Sequence, residues 1–377
     1  MNERAASRMR LVGMIRKESL QILRDPSSIA IAFVMPVVLL LLFGYGVSLD
    51  ARHVPLAVVV EQPDTNTASL IGSFQHSAYF NLKSFDSIHA AQQAFDLREV
   101  FGIVWLRNDF SEQLLSRGNA SIGVIVNGVN ANQARITQGY IQGVWQVWLG
   151  HYARSRGMEL TLPVALAPRI WFNAAVSSRD FLVPGLIALI MTLIGALLTS
   201  MVVAREWERG TMEALMVTPI RIGELVIGKL VPYFVLGMGG MLLSVATAVW
   251  LFEVPLRGSF WLLSAASALF MLVALGMGLV ISVVAKNQFV AGQIAIVVTF
   301  LPAFILSGFI FQISSMPAAI QLITHIIPAR YYVAILQTLF LAGDIWPIVL
   351  SNCAVLALML FVLLAVARRK LHKRLDA

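Results

Sequence analysis

A single cysteine, Cys353, stands in 377 residues, so no internal disulfide can form and a disulfide-stapled secreted scaffold is excluded. Charge is scarce too. Asp, Glu, Lys and Arg make up 13% of the chain, against about 25% in an ordinary soluble domain. Apolar residues make up 58% and the mean hydropathy is +0.78. Those proportions exclude a disordered chain and argue against a cytosolic enzyme, which would have more apolar surface than it could cover. Catalytic patterns are missing as well. The six histidines show no HExxH spacing, and there is no GxSxG elbow. A near match to a P-loop, Gly223-Glu224-Leu225-Val226-Ile227-Gly228-Lys229-Leu230, puts Leu230 where a hydroxyl must hold Mg²⁺. No hydrophobic strand leads into it, so it reads as a chance match, with Lys229 marking the end of a membrane span. The expectation is a chain with no catalytic residues, no metal site and no cofactor of its own.

Long apolar runs are what the chain does have. Six stretches can cross a hydrocarbon core of about 30 Å, which takes roughly 20 helical residues. They run over 29–47, 181–204, 231–252, 260–285, 289–311 and 347–366, and none holds an Asp, Glu, Lys, Arg or His. Six crossings put both termini on one side. That side, counting the N-terminus, the 205–230 loop, Lys286 and the tail from Arg368, holds 16 basic and 8 acidic residues, and the other side holds 12 of each. All of the +8 thus falls on one face, which the positive-inside rule makes cytoplasmic. The excess is a topology signal and not a nucleic-acid footprint, since it lacks interleaved aromatics. The first run exceeds a signal-peptide core and lacks a cleavage site, so an uncleaved anchor is expected.

Residues 1–28 include Arg8–Arg24, whose mixture of Leu11, Met14 and Ile22 with Arg10, Arg16 and Lys17 suits an amphipathic interfacial helix, or else a plain basic flank. Asp25-Pro26 ends it and starts the first span. Residues 48–180 predict an extracytoplasmic domain with strands at 54–60, 101–106 and 121–126, and helices at 86–100, 109–116 and 130–156. Ile141, Val144, Trp145, Trp148 and Leu149 form a helical stripe for packing on the sheet or on a partner. The expected fold is therefore a polytopic α-helical membrane protein, with six transmembrane helices and a small α/β extracytoplasmic domain between helices 1 and 2. Five of the helices fill 181–366, and 367–377 is a basic cytoplasmic tail. The stretch 312–346 is too apolar for a solvated loop, and Pro317 and Pro328 cut it into pieces too short to cross. A re-entrant or interfacial hairpin fits it.

One run stands apart: Arg205-Glu206-Trp207-Glu208-Arg209-Gly210-Thr211-Met212-Glu213-Ala214-Leu215-Met216-Val217-Thr218-Pro219. Charges of both signs follow an apolar span and precede a short helix over 211–217, capped by Thr211, with Glu213 in its first turn and Thr218-Pro219 as its stop. Such an element suits a partner's groove, or else packs on its own bundle.

This run resembles the signature of the permease subunits of type-2 ABC exporters. Two further matches are Lys17-Glu18 with Leu23-Arg24-Asp25-Pro26, and Ile327-Pro328-Ala329-Arg330-Tyr331-Tyr332 leading to Phe340-Leu341-Ala342-Gly343. Ile327 stands where family members often carry Asn. The layout of one span, a large external domain and five spans is similar too, most of all to bacterial multidrug-efflux permeases. The resemblance implies a second permease chain, identical or a similar sister, and a path lined mainly by the second and fifth spans. It further implies separate ATPase subunits carrying ATP and Mg, a coupling helix at Glu206–Pro219, and Arg8–Arg24 as the connecting helix beside it. An envelope adaptor is a candidate partner for the outer domain, the lipid bilayer surrounds the rest, and the bacterial inner membrane is the expected site. Phe- and Met-rich spans suit a drug-like, amphipathic or lipid-like substrate. Two rivals are a membrane scaffold or sensor whose outer domain reads a ligand, and a secondary transporter. The second of these is disfavoured because no ionisable residue lies within a span.

Overall fold

The computed structural model describes residues 3–46, 53–116, 120–128, 131–157, 172, 177–211, 217–218 and 220–370. The chain divides into two compact units, Met1–Val47 with Ile170–Ala377, and Ser48–Arg169.

Among the described residues of the first unit six helices are long and apolar enough to cross a bilayer, here numbered first to sixth: Pro26–Gly46, Ser178–Glu208, Ile222–Leu251, Phe260–Ala285, Gln288–Leu306 and Trp346–Lys370. Several outrun the apolar stretches expected from sequence. The second continues through Arg205–Glu208 and the third begins nine residues before Val231, so much of the expected 205–230 loop is helix. A charged residue does not end a helix. Gly210, at φ +68°, does, as a left-handed C-terminal glycine. At the third helix's start, the Glu224 carboxylate accepts the Arg221 backbone N–H at 3.0 Å. The fifth stops at Leu306 instead of Phe311, just before Gly308 with its φ of +86°.

The second span is the hub. Nearly nine-tenths (89%) of its most apolar stretch is buried inside this one chain, against 22% for the fifth. A translocation path lined by both would have to treat them differently: the second is already enclosed, while Ile296, Val297 and Val298 of the fifth stand exposed. Small residues allow the second and fourth spans to touch. Thr199 Oγ1 donates to the carbonyls of Gly195 (2.6 Å) and Leu275 (3.1 Å), and Gly278 faces Ala196 and Thr199. Ser200 and Ser244 bond to carbonyls of their own helices, but Ser282 does not. Its Oγ instead accepts the backbone N–H groups of Val203 and Ala204, each at 2.9 Å.

Among the described residues π-helical turns lie within two helices, at Ala30–Val34 and Ile296–Phe300, and end two others, at Thr247–Leu251 and Thr338–Ala342. Two of them run up to prolines, Pro36 and Pro302. The carbonyl four residues before each proline, on Ala32 and on Val298, falls in the wide turn, which relieves its clash with the ring.

Over 312–346, Ala318–Thr324 and Pro328–Ala342 meet at 85°. Ile327 occupies the N-cap position and makes no side-chain cap. The second helix of the pair is deeply packed. Tyr332 stacks on Phe270 at 4.1 Å and shares a 2.7 Å hydrogen bond with Ser267. Tyr331 faces outward and donates to the His325 carbonyl at 3.0 Å. Gly343, at φ +97°, closes the helix through its N–H to Thr338 O at 2.9 Å. Exposed Tyr45, Trp250, Trp261 and Trp346 gather at this end of the bundle, as an interfacial aromatic belt would.

The second unit holds a four-stranded sheet in the order β2-β1-β3-β4, with β1 Val54–Val60, β2 Phe80–Phe85, β3 Gly102–Leu106 and β4 Gly123–Val126. β1 is parallel to β2 and β3, and β4 is antiparallel to β3. Alternate residues of β1 face opposite layers, Leu56 and Val58 one way, Ala57 and Val59 the other. Thr65–Gln75 and Ala131–Ser155 cover the first face and Ile88–Asp96 the second. The Ile141–Leu149 stripe packs on the sheet, where Trp145 and Trp148 stack at 5.2 Å and Trp148 Nε1 donates to Ser69 Oγ at 3.1 Å.

Crowding around Gly278 gives a direct test of the hub. A Cβ there would lie 2.0 Å from Thr199 Oγ1 and 2.5 Å from Ala196 O, whereas at Gly276 nothing comes nearer than 3.5 Å. Gly278→Ala should therefore destabilise by about 1–3 kcal/mol, read as a lower thermal midpoint in detergent, and Gly276→Ala should leave that midpoint unchanged.

Candidate functional site

The residues singled out from sequence converge at the opposite end of the bundle. The N-terminal helix, Glu3–Leu23, lays Met14, Glu18 and Ile22, spaced four apart, against the start of the third span. Gly228 makes room for it, since a Cβ there would lie 2.5 Å from Met14 Cγ. The P-loop-like run 223–230 is continuous helix and offers no phosphate-cradling turn.

At the centre is an ion cluster that sequence reasoning missed. Lys229 Nζ lies 2.7 Å from Glu18 Oε1 and 2.9 Å from Glu206 Oε1. Lys17 Nζ reaches Glu206 Oε1 at 2.8 Å and Glu18 Oε1 at 3.6 Å. Lys229 and Glu18 are 2% and 1% exposed, so their charges survive burial only because each is paired. Two cations and two carboxylates leave the cluster neutral. Thr211 Oγ1 adds a close hydrogen bond to the other Glu206 oxygen. The expectation that no ionisable group is buried within the span helices is thereby corrected. Glu206 and Lys229 lie in helical stretches that the sequence had assigned to a loop, and their partner Glu18 comes from a different part of the chain.

Around this cluster lies a more exposed ring. Arg205 donates through Nε to Gln288 Oε1 at 3.0 Å and pairs with Asp25 Oδ2 at 3.3 Å. Asp25 caps the first span, taking Ser27 N at 3.1 Å and Ser28 Oγ at 2.8 Å, with Pro26 in the first helical position. Burial works to raise the Asp25 pKa, but the Ser27 and Ser28 hydrogen bonds and the Arg205 charge outweigh it and bring it to about 2. Glu208 accepts Gln288 N at 3.1 Å and Gln288 Nε2 at 3.2 Å. Glu224 gathers Ser7 Oγ at 2.5 Å and Arg10 at 3.0 and 3.1 Å, and Lys286 sits over Trp207 at 4.9 Å.

The expected coupling segment therefore splits into two parts. Arg205, Glu206 and Glu208 belong to the last turns of the second span, where all three have partners within the chain and Glu208 alone is exposed. Arg209, Gly210 and Thr211 stand at the exposed tip, and Thr211 Oγ1 bonds back to the Glu206 carbonyl. Glu213, Leu215 and Pro219 and most of the expected 211–217 helix lie outside the described residues. Thr218 is described and half-buried. Among the described residues no cluster of metal-ligand type occurs.

A family profile described as ABC-2 family transporter protein matches residues 26–369. The chain is 44% identical over 362 residues to the probable multidrug ABC transporter permease YbhS of Escherichia coli K12, covering 96% of each chain. It is 28% identical to the probable multidrug ABC transporter permease YbhR of the same organism, covering 90% of this chain and 94% of that one. With the inner membrane transport permease YhhJ, also of that strain, it shares 29% identity over 256 residues, about two thirds of each chain (66% and 67%).

Removing the central cation should be costly. Lys229→Met leaves two buried carboxylates with the half-exposed Lys17 as their one remaining cation, and should lower stability by about 3–5 kcal/mol, seen as a large fall in the detergent thermal midpoint. Asp25 acts in the acid range. Its folded pKa of about 2 lies below the ordinary aspartate value of 3.8, so its contribution is complete above about pH 4 and is lost as pH falls toward 2. Asp25→Asn should flatten that part of the pH–stability curve.

Proposed function

The chain belongs to the ABC-2 family of transporter proteins, and we propose that it is one permease subunit of an ATP-driven exporter whose hydrolysis takes place on separate ATPase chains. The observation that carries this reading is the exposed tip Glu208–Gly210, fused without a hinge to the enclosed second span in a chain matched by the family over 26–369. A push on that tip moves the hub of the bundle.

The basic end of the bundle is then cytoplasmic, which follows from the Lys/Arg bias and puts both termini inside. The sheet unit lies outside, where it is open to an envelope partner. The Glu18–Lys229–Glu206 cluster couples the N-terminal connecting helix rigidly to the tip, so both move as one body beneath the spans. The exposed apolar face of the fifth span suits a second permease chain, identical or a similar sister, with the substrate path between them. A drug-like or amphipathic substrate agrees with the multidrug designation of YbhS and YbhR and with Met191, Phe300 and Phe304 inside the bundle. The bacterial inner membrane is the setting.

Glu208→Lys with Arg209→Glu reverses both exposed charges of the tip without touching the buried cluster. Co-purification of the ATPase subunit should fall about tenfold or more and drug export should stop, while membrane insertion and the thermal midpoint hold. Unchanged ATPase association together with unchanged export would sink the docking role.

A further inference from the structure

Beside the ion cluster lies an open cleft of about 650 Å³ that the coupling reading does not use. Lys17, Arg24, Arg205 and Arg209 line it against one carboxylate, Asp25, an excess of three positive charges. Asp25 is already occupied by Ser27, Ser28 and Arg205. Arg24 and Arg209 are exposed and their side chains have no hydrogen bond or ion pair among the described residues, so two guanidinium forks face the cleft uncommitted.

The walls fix the depth of the cleft. Pro26 opens the first span, Gln288 opens the fifth, and Arg205 sits in the closing turns of the second, so the cleft lies at the plane where hydrocarbon gives way to headgroups. Its rim is apolar. Leu20 lines it, and exposed Leu23 and Phe289 adjoin lining residues in sequence. A soluble anion needs the cations only, whereas a phospholipid needs cations and an apolar rim side by side. Arginine forks match phosphate oxygens in pairs, and a zwitterionic headgroup offsets that gain by bringing its own cation beside the guanidinium groups.

We propose that this cleft binds the phosphate of an anionic phospholipid of the surrounding leaflet, held by Arg24 and Arg209 with Lys17 and Arg205 behind them, its chains running along Leu23 and Phe289. The site rests on the membrane assignment; Arg209 is shared with the proposed docking tip, so lipid binding is read in the absence of ATPase.

The test is lipid binding to the purified full-length permease, without ATPase. Detergent-solubilised protein is titrated with phosphatidylglycerol, phosphatidylcholine, glycerol phosphate or inorganic phosphate, and bound lipid and thermal midpoint are followed. Phosphatidylglycerol should bind and raise the midpoint, and phosphatidylcholine should not. Arg24→Gln and Arg209→Gln should each weaken phosphatidylglycerol binding about fivefold, equivalent to about 1 kcal/mol per membrane-surface charge. Arg369→Gln, on the same face but away from the cleft, should change nothing, and Arg24→Lys should recover part of the loss. An equal effect from inorganic phosphate or glycerol phosphate would make the cleft a free-anion site and overturn the lipid assignment. Equal losses from Arg24→Gln and Arg369→Gln would overturn the site itself, leaving only general surface attraction. Because neither arginine side chain has an internal partner, an unchanged midpoint of the lipid-free variants checks that they fold.

Discussion

The Lys229 ammonium, held between Glu18 and Glu206 with almost no exposure, is the constraint to which the rest of the basic end conforms. Three helices meet there, each supplying a charge that none of them could bury alone. Water cannot take the place of a missing partner, so the N-terminal helix has to lie where Glu18 reaches Lys229, and the second and third spans have to end at matching heights. Lys17 completes neutrality from the solvent side. The close approach of Gly228 to Met14 and the four donors collected by Glu224 follow from the position that the cluster sets.

The enclosed second span carries that constraint across the bundle. It touches the fourth through Gly195, Thr199 and Gly278, and Ser282 binds its backbone directly. Contacts this close leave little room for sliding, so motion of the tip is transmitted as rotation or tilt of the pair and not as slippage between them. The re-entrant pair is attached to the same body. Tyr332 contacts Ser267 on the fourth span and Met191 on the second, and Gly258 N donates to Leu339 O at 2.7 Å. Both ends of the molecule are thus tied to one central column.

Much of this was legible in the sequence because hydropathy reports burial in lipid directly. The six runs, the Asp25-Pro26 boundary and strand β1, a continuous apolar stretch buried on both faces, were read from composition alone. Strand β2 was missed because Phe80-Asn81-Leu82-Lys83-Ser84-Phe85 is an edge strand whose polar positions face water. The helix Thr65–Gln75 had a signal, Asp64 with Thr67 three residues on, which forms a capping box in the structure and was passed over. The ion cluster was invisible for a different reason. Its members lie at positions 17, 18, 206 and 229, and hydropathy treats every charge as solvated. Pairing across such distances is a property of packing, and only the length of the helices beyond their apolar parts could have hinted at it.

The π turns bear on how this chain tolerates insertion and deletion. Each such turn accommodates one residue more than the α-helix around it, and that residue rotates everything beyond it by about 100° relative to an uninterrupted helix. The exposed and buried faces of the first and fifth spans are therefore set in two parts, one phased from each end. Losing one residue inside Ala30–Val34 or Ile296–Phe300 would leave a helix of ordinary appearance whose far half presents the wrong face to its neighbours. In these spans a residue's position within the count matters more than its identity, a dependence that substitution scanning alone would never expose.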